Sequence, residues 1–283
     1  MKDELYIMKA IQASIEAGAA ILEVYHSDFI VEHKVDKSPL TLADKRSHEI
    51  IVRHLKEFNI PILSEEGKEI SYEERKMWNT LWIVDPLDGT KEFVRRNGEF
   101  TVNIALIRDG KPELGVVLAP EKGTLYLSAK GMGTYRLDDS LRMDWTGPHS
   151  QDIRESLSLN QLIDQSTRLL SDHSRLVAYT IVGSRSHPSK ELEAFVEDKR
   201  KQYSDVEFIS AGSSLKFCLL AEGKAHIYPR LGPTMEWDTA AGQAVAENAG
   251  AEVYRYDDEK SLTYNKANLL NPWFVVTHTG KQC

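Results

Sequence analysis

Leu81-Trp82-Ile83-Val84-Asp85-Pro86-Leu87-Asp88-Gly89-Thr90 decides how this chain is read. Four apolar residues in a row suit a buried strand, and two carboxylates follow at its end. Asp, Pro and Gly are also turn residues, so the hexapeptide taken alone fits a tight turn. Its company elsewhere in the chain changes the reading. Ser64-Glu65-Glu66-Gly67 follows the apolar Pro61-Ile62-Leu63, and Trp237-Asp238-Thr239-Ala240-Ala241-Gly242, about 150 residues beyond Asp85, opens an alanine-rich helical stretch. In each segment carboxylates sit at the edge of an element that looks buried, where a strand end or helix start holds them rigidly. Oxygen ligands converging from separate segments suit Mg²⁺, which takes few carboxylates plus water and substrate phosphate. The chain reads as a metal-dependent phosphate-ester hydrolase.

Working outward, Ile7, Ile11, Ile15, Ala19, Leu22 and Tyr25 recur at three- and four-residue spacing and predict an amphipathic helix. A second helix is predicted from Thr41, with Asp44 completing a capping box and Ile50, Ile51, Leu55 and Phe58 as its apolar stripe. Strand-like runs follow at Leu81–Val84, Val102–Ile107, Leu114–Leu118 and Thr124–Leu127, punctuated by Gly110, Pro112, Pro120 and Gly123. Helices followed by an antiparallel-looking strand series read as an α+β, metal-binding half over residues 1–140. Residues 141–174 are polar and weakly periodic and are expected to connect. Over residues 175–283, apolar runs at Leu176–Val182, Val206–Ile209, Ala225–Tyr228 and Trp273–Thr277 alternate with helical patterns near 189–199, 213–222 and 239–249. This alternation predicts an α/β substrate-specificity half, with the site in the cleft between halves.

Composition bounds the function. The 283 residues, 41% hydrophobic and 28% charged, are those of a soluble globular protein with ample core. A formal charge of −8 argues against binding nucleic-acid polymers, which need a basic face. It leaves small phosphorylated substrates open, because bound metal ions invert the local field. No run of 18 apolar residues occurs, and Met1-Lys2-Asp3-Glu4 leads into an amphipathic pattern, so neither a transmembrane segment nor a signal peptide is expected. Two cysteines, Cys218 in an apolar run and Cys283 at the end, are too few for a disulfide framework, which predicts a reducing cytoplasm. Monomer and homodimer both remain open.

Hydrolysis of a phosphate monoester needs an activated water, neutralised phosphoryl oxygens and help for the leaving oxygen. Glu65, Asp85, Asp88 and Asp238 could hold two or three Mg²⁺ ions, and Pro86 bends the chain so that the Leu87 carbonyl joins them. Gly89 permits close backbone approach, and amides near Thr90 could cradle a phosphate at a helix start. Glu65 also fits a surface acidic loop. Asp238 and Asp44 also fit helix-start carboxylates rewarded by capping and the macrodipole.

The Asp85–Thr90 hexapeptide with the distant Trp237–Gly242 segment resembles the lithium-sensitive, Mg²⁺-dependent inositol monophosphatase superfamily. Leu63–Glu66, the run Trp82–Leu106 and the stretch Gly212–Gly242 resemble, within it, the bacterial 3′(2′),5′-bisphosphate nucleotidases of the CysQ type. That resemblance implies a layered αβαβα sandwich. It also implies Mg²⁺ ligands at Glu65, Asp85, the Leu87 carbonyl, Asp88 and Asp238. Asp44 and Thr90 are implied as the pair that orients and deprotonates the attacking water. Substrate contacts are implied at Glu65, Leu87, Asp88, Gly89, Thr90, Asp238, Ser184 and His187 of the Ser184-Arg185-Ser186-His187 loop, Ser213, Lys216 and Arg230. By the residues alone, Arg230 also fits a solvated loop charge, Lys216 a helix-surface lysine, His187 a turn histidine and Trp237 a core anchor. The implied activity converts adenosine 3′,5′-bisphosphate to AMP and phosphate, with 3′-phosphoadenylyl sulfate also admitted. The enzyme would work in sulfur metabolism, in the cytoplasm or peripherally at the inner face of the membrane. The rival readings are an inositol or sugar phosphatase of the same superfamily and a catalytically silent nucleotide- or metal-sensing module.

Overall fold

The computed structural model describes residues 2–33, 39–139, 158–185 and 189–278. Helices α1 (Lys2–Tyr25) and α2 (Leu42–Leu55) pack on one face of a seven-stranded sheet. Its strands are β3 (Ile62–Ser64), β4 (Thr80–Asp88), β5 (Thr101–Arg108), β6 (Lys111–Ala119), β7 (Thr124–Ala129), β8 (Gly133–Leu137) and β9 (Thr167–Leu169), in that spatial order. The short strands β1 (Glu32–His33) and β2 (Pro39–Leu40) pair with each other, and the one-turn helix α3 (Tyr72–Arg75) precedes β4. Thr41 caps α2, its hydroxyl accepting from the Ala43 N–H at 3.1 Å, and Asp44 returns the capping box.

Side-chain alternation explains the uninterrupted apolar run of β4. Trp82 and Val84 join the cluster beneath α1 and α2, whereas Leu81 and Ile83 face the opposite way. There they meet helices α7 (Leu215–Ala221) and α8 (Ala240–Asn248), through Cys218, Ala240, Ala241 and Val245. A strand covered on both faces shows no polar alternation. The far side of α7 and α8, with Phe217, Leu220 and Ala246, packs on Val182, Tyr228, Phe274 and Val276 of a second sheet. That sheet runs β11 (Val206–Ala211), β10 (Tyr179–Ser184), β12 (Ile227–Arg230), β14 (Phe274–His278), β13 (Ala251–Arg255). Its outer face, with Ile181, Ile227 and Val275, is closed by Leu192 and Val196 of α6 (Lys190–Gln202). The five layers are α, β, α, β, α, the sandwich expected.

The layers cut across the division expected from the sequence. Within the polar 141–174 stretch, Leu159 and Leu162 of α5 (Leu159–Asp164) are buried in the first core and β9 pairs with β8, while residues 140–157 lie outside the described set. Helices α7 and α8 come from the second half yet form the middle layer. The second sheet is parallel at β11, β10 and β12 and antiparallel at β14 and β13. By length and composition α1 could cross a membrane, but Ile7, Ile11, Ile15 and Ile21 are buried in the core.

The middle layer sits close to both sheets because its contact residues are small. A Cβ added at Gly115 of β6 would fall 2.6 Å from the Ala241 carbonyl oxygen and 2.7 Å from the Ala244 Cβ. Gly115→Ala should therefore overpack this seam and cost about 1–3 kcal/mol, lowering the melting temperature by roughly 2–10 °C. Gly232, with open space around it, serves as control. A melting temperature of Gly115→Ala equal to that of Gly232→Ala would show that α8 moves aside freely.

Candidate active site

A bulge at the end of β4 makes the centre of the site. In a regular strand Asp85 and Asp88, three positions apart, would point to opposite faces. Asp85 is registered with Asn103 and Asp88 with Thr101, so three steps on β4 oppose two on β5. The extra residue brings both carboxylates to one side. The hexapeptide is thus a bulged strand end and not a detached turn. The Asp85 carboxylate accepts from the Leu87 N–H at 3.1 Å, and the Ser47 hydroxyl donates to the Pro86 carbonyl at 2.6 Å.

Asp238 arrives from the turn before α8, its Oδ2 accepting from the Met235 N–H at 2.8 Å. It closes that turn without capping the helix, whose N-cap residue is Thr239. Glu236 anchors the same turn. It is fully buried and accepts from Lys266 Nζ at 2.7 Å and from the Asn265 N–H at 2.6 Å. Carboxylate oxygens of Asp85, Asp88 and Asp238 all lie within 4.8 Å of one another. Glu65 follows β3, which is parallel to β4; its N–H donates to the Val84 carbonyl at 3.2 Å, and its side chain lines the same cleft.

Thr90 begins α4 (Thr90–Val94), and its hydroxyl lies 3.4 Å from both Asp44 Oδ1 and the Leu87 carbonyl oxygen. The other oxygen of buried Asp44 accepts from the Thr41 N–H at 2.8 Å and the Thr41 hydroxyl at 2.7 Å. One carboxylate thus serves a helix cap and the site together. Gly89 has φ 89°, and a Cβ there would fall 2.1 Å from Ser213 Oγ, so the position needs glycine.

Among the described residues, acidic groups crowd the site. Burial, then the charges of Glu65, Asp88 and Asp238, pushes Asp85 well above the usual carboxylate range. Burial and the charge of Asp88 push Asp238 up to about 8. Burial raises Asp88 as well, against the pull of Lys216 and hydrogen bonds from Ser214 and Asn103. Lys216 itself is pushed down to about 8 by burial, with Asp88 opposing. A hard divalent cation would relieve this crowding, and the donor set, all oxygen with no His or Cys, suits one. The residues fit Mg²⁺.

The cleft holds about 260 Å³ and is lined on the second-sheet side by Ser184, Ser213, Lys216, Tyr228 and Arg230. Lys216 is no surface lysine: it is 5% exposed, and its ammonium donates to the Ser213 carbonyl at 2.5 Å. Arg230 ends a strand and is half-buried; its Nη2 donates to the Pro233 carbonyl at 2.6 Å, and its buried Nε has no partner among the described residues. The Ser213 hydroxyl lies 2.8 Å from the Asp88 carbonyl oxygen and 2.6 Å from that of Glu99, so it is occupied with backbone. Trp237 packs against the core between the first sheet and the middle layer. Ser186 and His187 lie outside the described residues.

Sequence reasoning missed Ser214 and Asn103. Ser214 Oγ lies 3.1 Å from Asp88 Oδ2 and 3.0 Å from the Asp238 carbonyl, and Asn103 Nδ2 donates to it at 3.0 Å. A lone amide inside the apolar run Val102–Ile107 was the available signal for Asn103.

Comparison with known proteins extends these findings. Residues 2–278 match the inositol monophosphatase family. The 3′(2′),5′-bisphosphate nucleotidase CysQ of Salmonella typhimurium is 42% identical over 271 residues, 94% of this chain and 97% of the relative. The nucleotidase CysQ of Buchnera aphidicola is 39% identical over 95% of this chain and 92% of its own. Among solved structures, CysQ from Bacteroides thetaiotaomicron, described as a bacterial member of the inositol monophosphatase family, superposes with a TM-score of 0.87 at 46% identity, covering 98% of both chains. The suhB protein of Bartonella henselae, at 22% identity and a TM-score of 0.68 over 97% of this chain and 94% of its own, shares the fold.

The raised carboxylates predict a pH dependence in the metal-free protein. With Asp238 at about 8 when folded and near 3.8 when unfolded, the folded state keeps a proton that the unfolded chain has lost. The stability this group contributes is therefore full below pH 4 and falls as pH rises toward 8, by at most about 1.4 kcal/mol per pH unit. Mg²⁺ competes with that proton, so added metal should raise the melting temperature more at pH 8 than at pH 5. Melting curves in chelator and in Mg²⁺, for wild type and Asp238→Asn, check this. A wild-type advantage over Asp238→Asn that grows with pH in chelator would contradict it.

Proposed function

The chain belongs to the inositol monophosphatase family, and on that premise we propose a Mg²⁺-dependent 3′(2′),5′-bisphosphate nucleotidase that converts adenosine 3′,5′-bisphosphate to AMP and phosphate. The observation that carries this reading is one cleft in which an acidic trio and two side-chain cations meet. Lys216 and Arg230 lie close enough that the guanidinium helps to depress the ammonium. An acidic trio alone serves any phosphate monoester. Two cations beside it serve a substrate that keeps a second phosphate after cleavage. The same site would accept 3′-phosphoadenylyl sulfate, which carries the same 3′-phosphate. The setting we infer is cytoplasmic sulfur metabolism.

In this reading Glu65, Asp85, Asp88, Asp238 and the Leu87 carbonyl would hold the two or three Mg²⁺ ions. When bound, the ions supply charge neutralisation at the phosphoryl oxygens and a lowered pKa for water. The chain's own groups do the rest. Asp44 Oδ1 takes the Thr90 proton in a hydrogen bond, which turns a lone pair of Thr90 Oγ1 toward the attacking water. Thr90 accepts the water's proton while passing its own toward Asp44. The capping bonds from Thr41 keep the second Asp44 oxygen, and thus the carboxylate plane, from turning away. Lys216 and Arg230 grip the phosphate that stays on the nucleotide, the fixed ammonium as a point charge and the guanidinium through its fork.

Phosphate release from adenosine 3′,5′-bisphosphate, inositol 1-phosphate and fructose 1,6-bisphosphate, with and without Mg²⁺, tests the reading. The bisphosphorylated nucleotide should be turned over fastest, and only with metal. Preference for inositol 1-phosphate would overturn the nucleotidase assignment. Arg230→Ala should raise KM for adenosine 3′,5′-bisphosphate roughly ten- to a hundredfold, the loss of one charge-assisted contact. It should leave slow cleavage of 3′-AMP nearly untouched, since 3′-AMP lacks the retained phosphate; equal losses on both substrates would place Arg230 elsewhere. Thr90→Ala should lower kcat by about 10²- to 10⁴-fold with Mg²⁺ affinity by calorimetry unchanged. Loss of metal binding would make Thr90 structural.

A further inference from the structure

Strands β10 and β11 are parallel neighbours that end side by side at Ser184 and Ala211. In open α/β sheets, ligands bind beyond such carboxyl ends. Arg185 and Gly212, which directly follow them, are both gripped by Glu99 in the loop before β5 of the first sheet. Glu99 Oε2 accepts from Arg185 Nε at 2.8 Å and from the Gly212 N–H at 2.9 Å, and Oε1 accepts from Arg185 Nη2 at 3.1 Å. The Glu99 carbonyl accepts from the Ser213 hydroxyl at 2.6 Å, the group that also reaches the Asp88 carbonyl.

The contact has no slack. A Cβ on Gly212 would fall 2.7 Å from the Glu99 carbonyl oxygen and 2.8 Å from Glu92 Cγ. Ser213 is held at φ 48°, a conformation that residues with a Cβ seldom adopt without outside support. Glu99 is 15% exposed on its side chain and Arg185 44%, so the pair is shielded from water on the Glu99 side only, and its bidentate geometry is what sets it apart from an ordinary surface pair. Arg185, from the loop expected to meet the nucleotide, spends its guanidinium on this clamp.

We propose that Glu99 is a positioning residue that fixes the ends of β10 and β11, and with them Ser184, Ser213 and the start of α7 with Lys216, at a set distance from the acidic cluster. The inference rests on the nucleotidase reading of that cleft. Loosening the clamp should blur the grip on the retained part of the nucleotide and leave the cleavage centre intact.

Glu99→Gln keeps the volume and an acceptor for Gly212 but removes the charge that holds Arg185. The expected result is a KM for adenosine 3′,5′-bisphosphate raised roughly tenfold, with kcat within about twofold. Arg185→Gln should do the same, and the double variant should be no worse than either single one. Hydrolysis of p-nitrophenyl phosphate and the Mg²⁺ concentration for half-maximal activity should not move. Amide hydrogen exchange should rise across residues 210–214 in Glu99→Gln while residues 80–88 keep wild-type protection. Multiplying defects in the double variant, parallel loss on p-nitrophenyl phosphate, or unchanged exchange at 210–214 would each overturn the clamp. If wild type leaves the nucleotide uncleaved, the proposed function fails, and the exchange measurement still decides whether Glu99 holds the strand ends.

Discussion

Mutual repulsion among crowded carboxylates, Asp85 buried and Asp88 and Asp238 half-buried, is the constraint around which this structure is arranged. Asp85, Asp88 and Asp238 bring oxygens within 4.8 Å of one another, and Glu65 adds its charge to the same cleft. Groups so placed would swing apart or stay protonated unless rigid elements held them. The chain answers with a strand end for Asp85 and Asp88, a strand junction for Glu65 and a braced turn for Asp238. Compensation is sparse and specific: Ser214 and Asn103 donate toward Asp88, and Lys216 supplies a nearby positive charge. Among the described residues these contacts stop short of neutralising Asp85, Asp88 and Asp238. That shortfall keeps the site receptive to a cation, since a fully compensated cluster would have nothing to gain from one.

The middle helical layer makes this arrangement possible. Because α7 and α8 are packed on both sides, they transmit position from one sheet to the other. Ser214 at the start of α7 touches Asp88 of the first sheet, and Lys216, two residues on, donates to the carbonyls of Ala211, which ends β11, and Ser213. The small residues of α8 let its neighbour α7 lie close, so that a Cβ on Gly242 would fall 2.4 Å from the Phe217 ring, and let β6 of the first sheet approach at Gly115. Close packing here is a means of registration: bulkier helices would separate the acidic end of β4 from the cationic side of the cleft.

Much of this was legible in the sequence. The five-layer order was implied by the resemblance that Asp85–Thr90 and Trp237–Gly242 carry, whereas the apolar run of β4 by itself pointed only to a buried strand. The capping box at Thr41 and Asp44 was legible because its partners are three residues apart. The bulge was not, because register is a relation between β4 and β5 and no local signal in Asp85–Asp88 states it. Glu99 with Arg185 and Asn103 with Ser214 were hidden for the same reason: each pair joins segments more than 80 residues apart. Strands β8, β9 and β13 are short, and tertiary pairing defines them more than their own composition does.

The double use of Asp44 shows why so small a set of residues can be held so firmly. A carboxylate serving catalysis alone would have to be fixed by bonds made for that purpose. Here the capping bonds from Thr41 are required by α2 in any case, since the helix start would otherwise leave backbone donors unsatisfied. Orientation of Asp44 Oδ1 toward Thr90 comes with them. The same economy appears at Ser213, whose hydroxyl lies between the carbonyls of Asp88 and Glu99 and thereby ties the metal side to the nucleotide side. Where one side chain satisfies a structural need and a chemical one, losing the chemistry also loosens the structure. The geometry of the site is therefore as rigid as the elements that carry it.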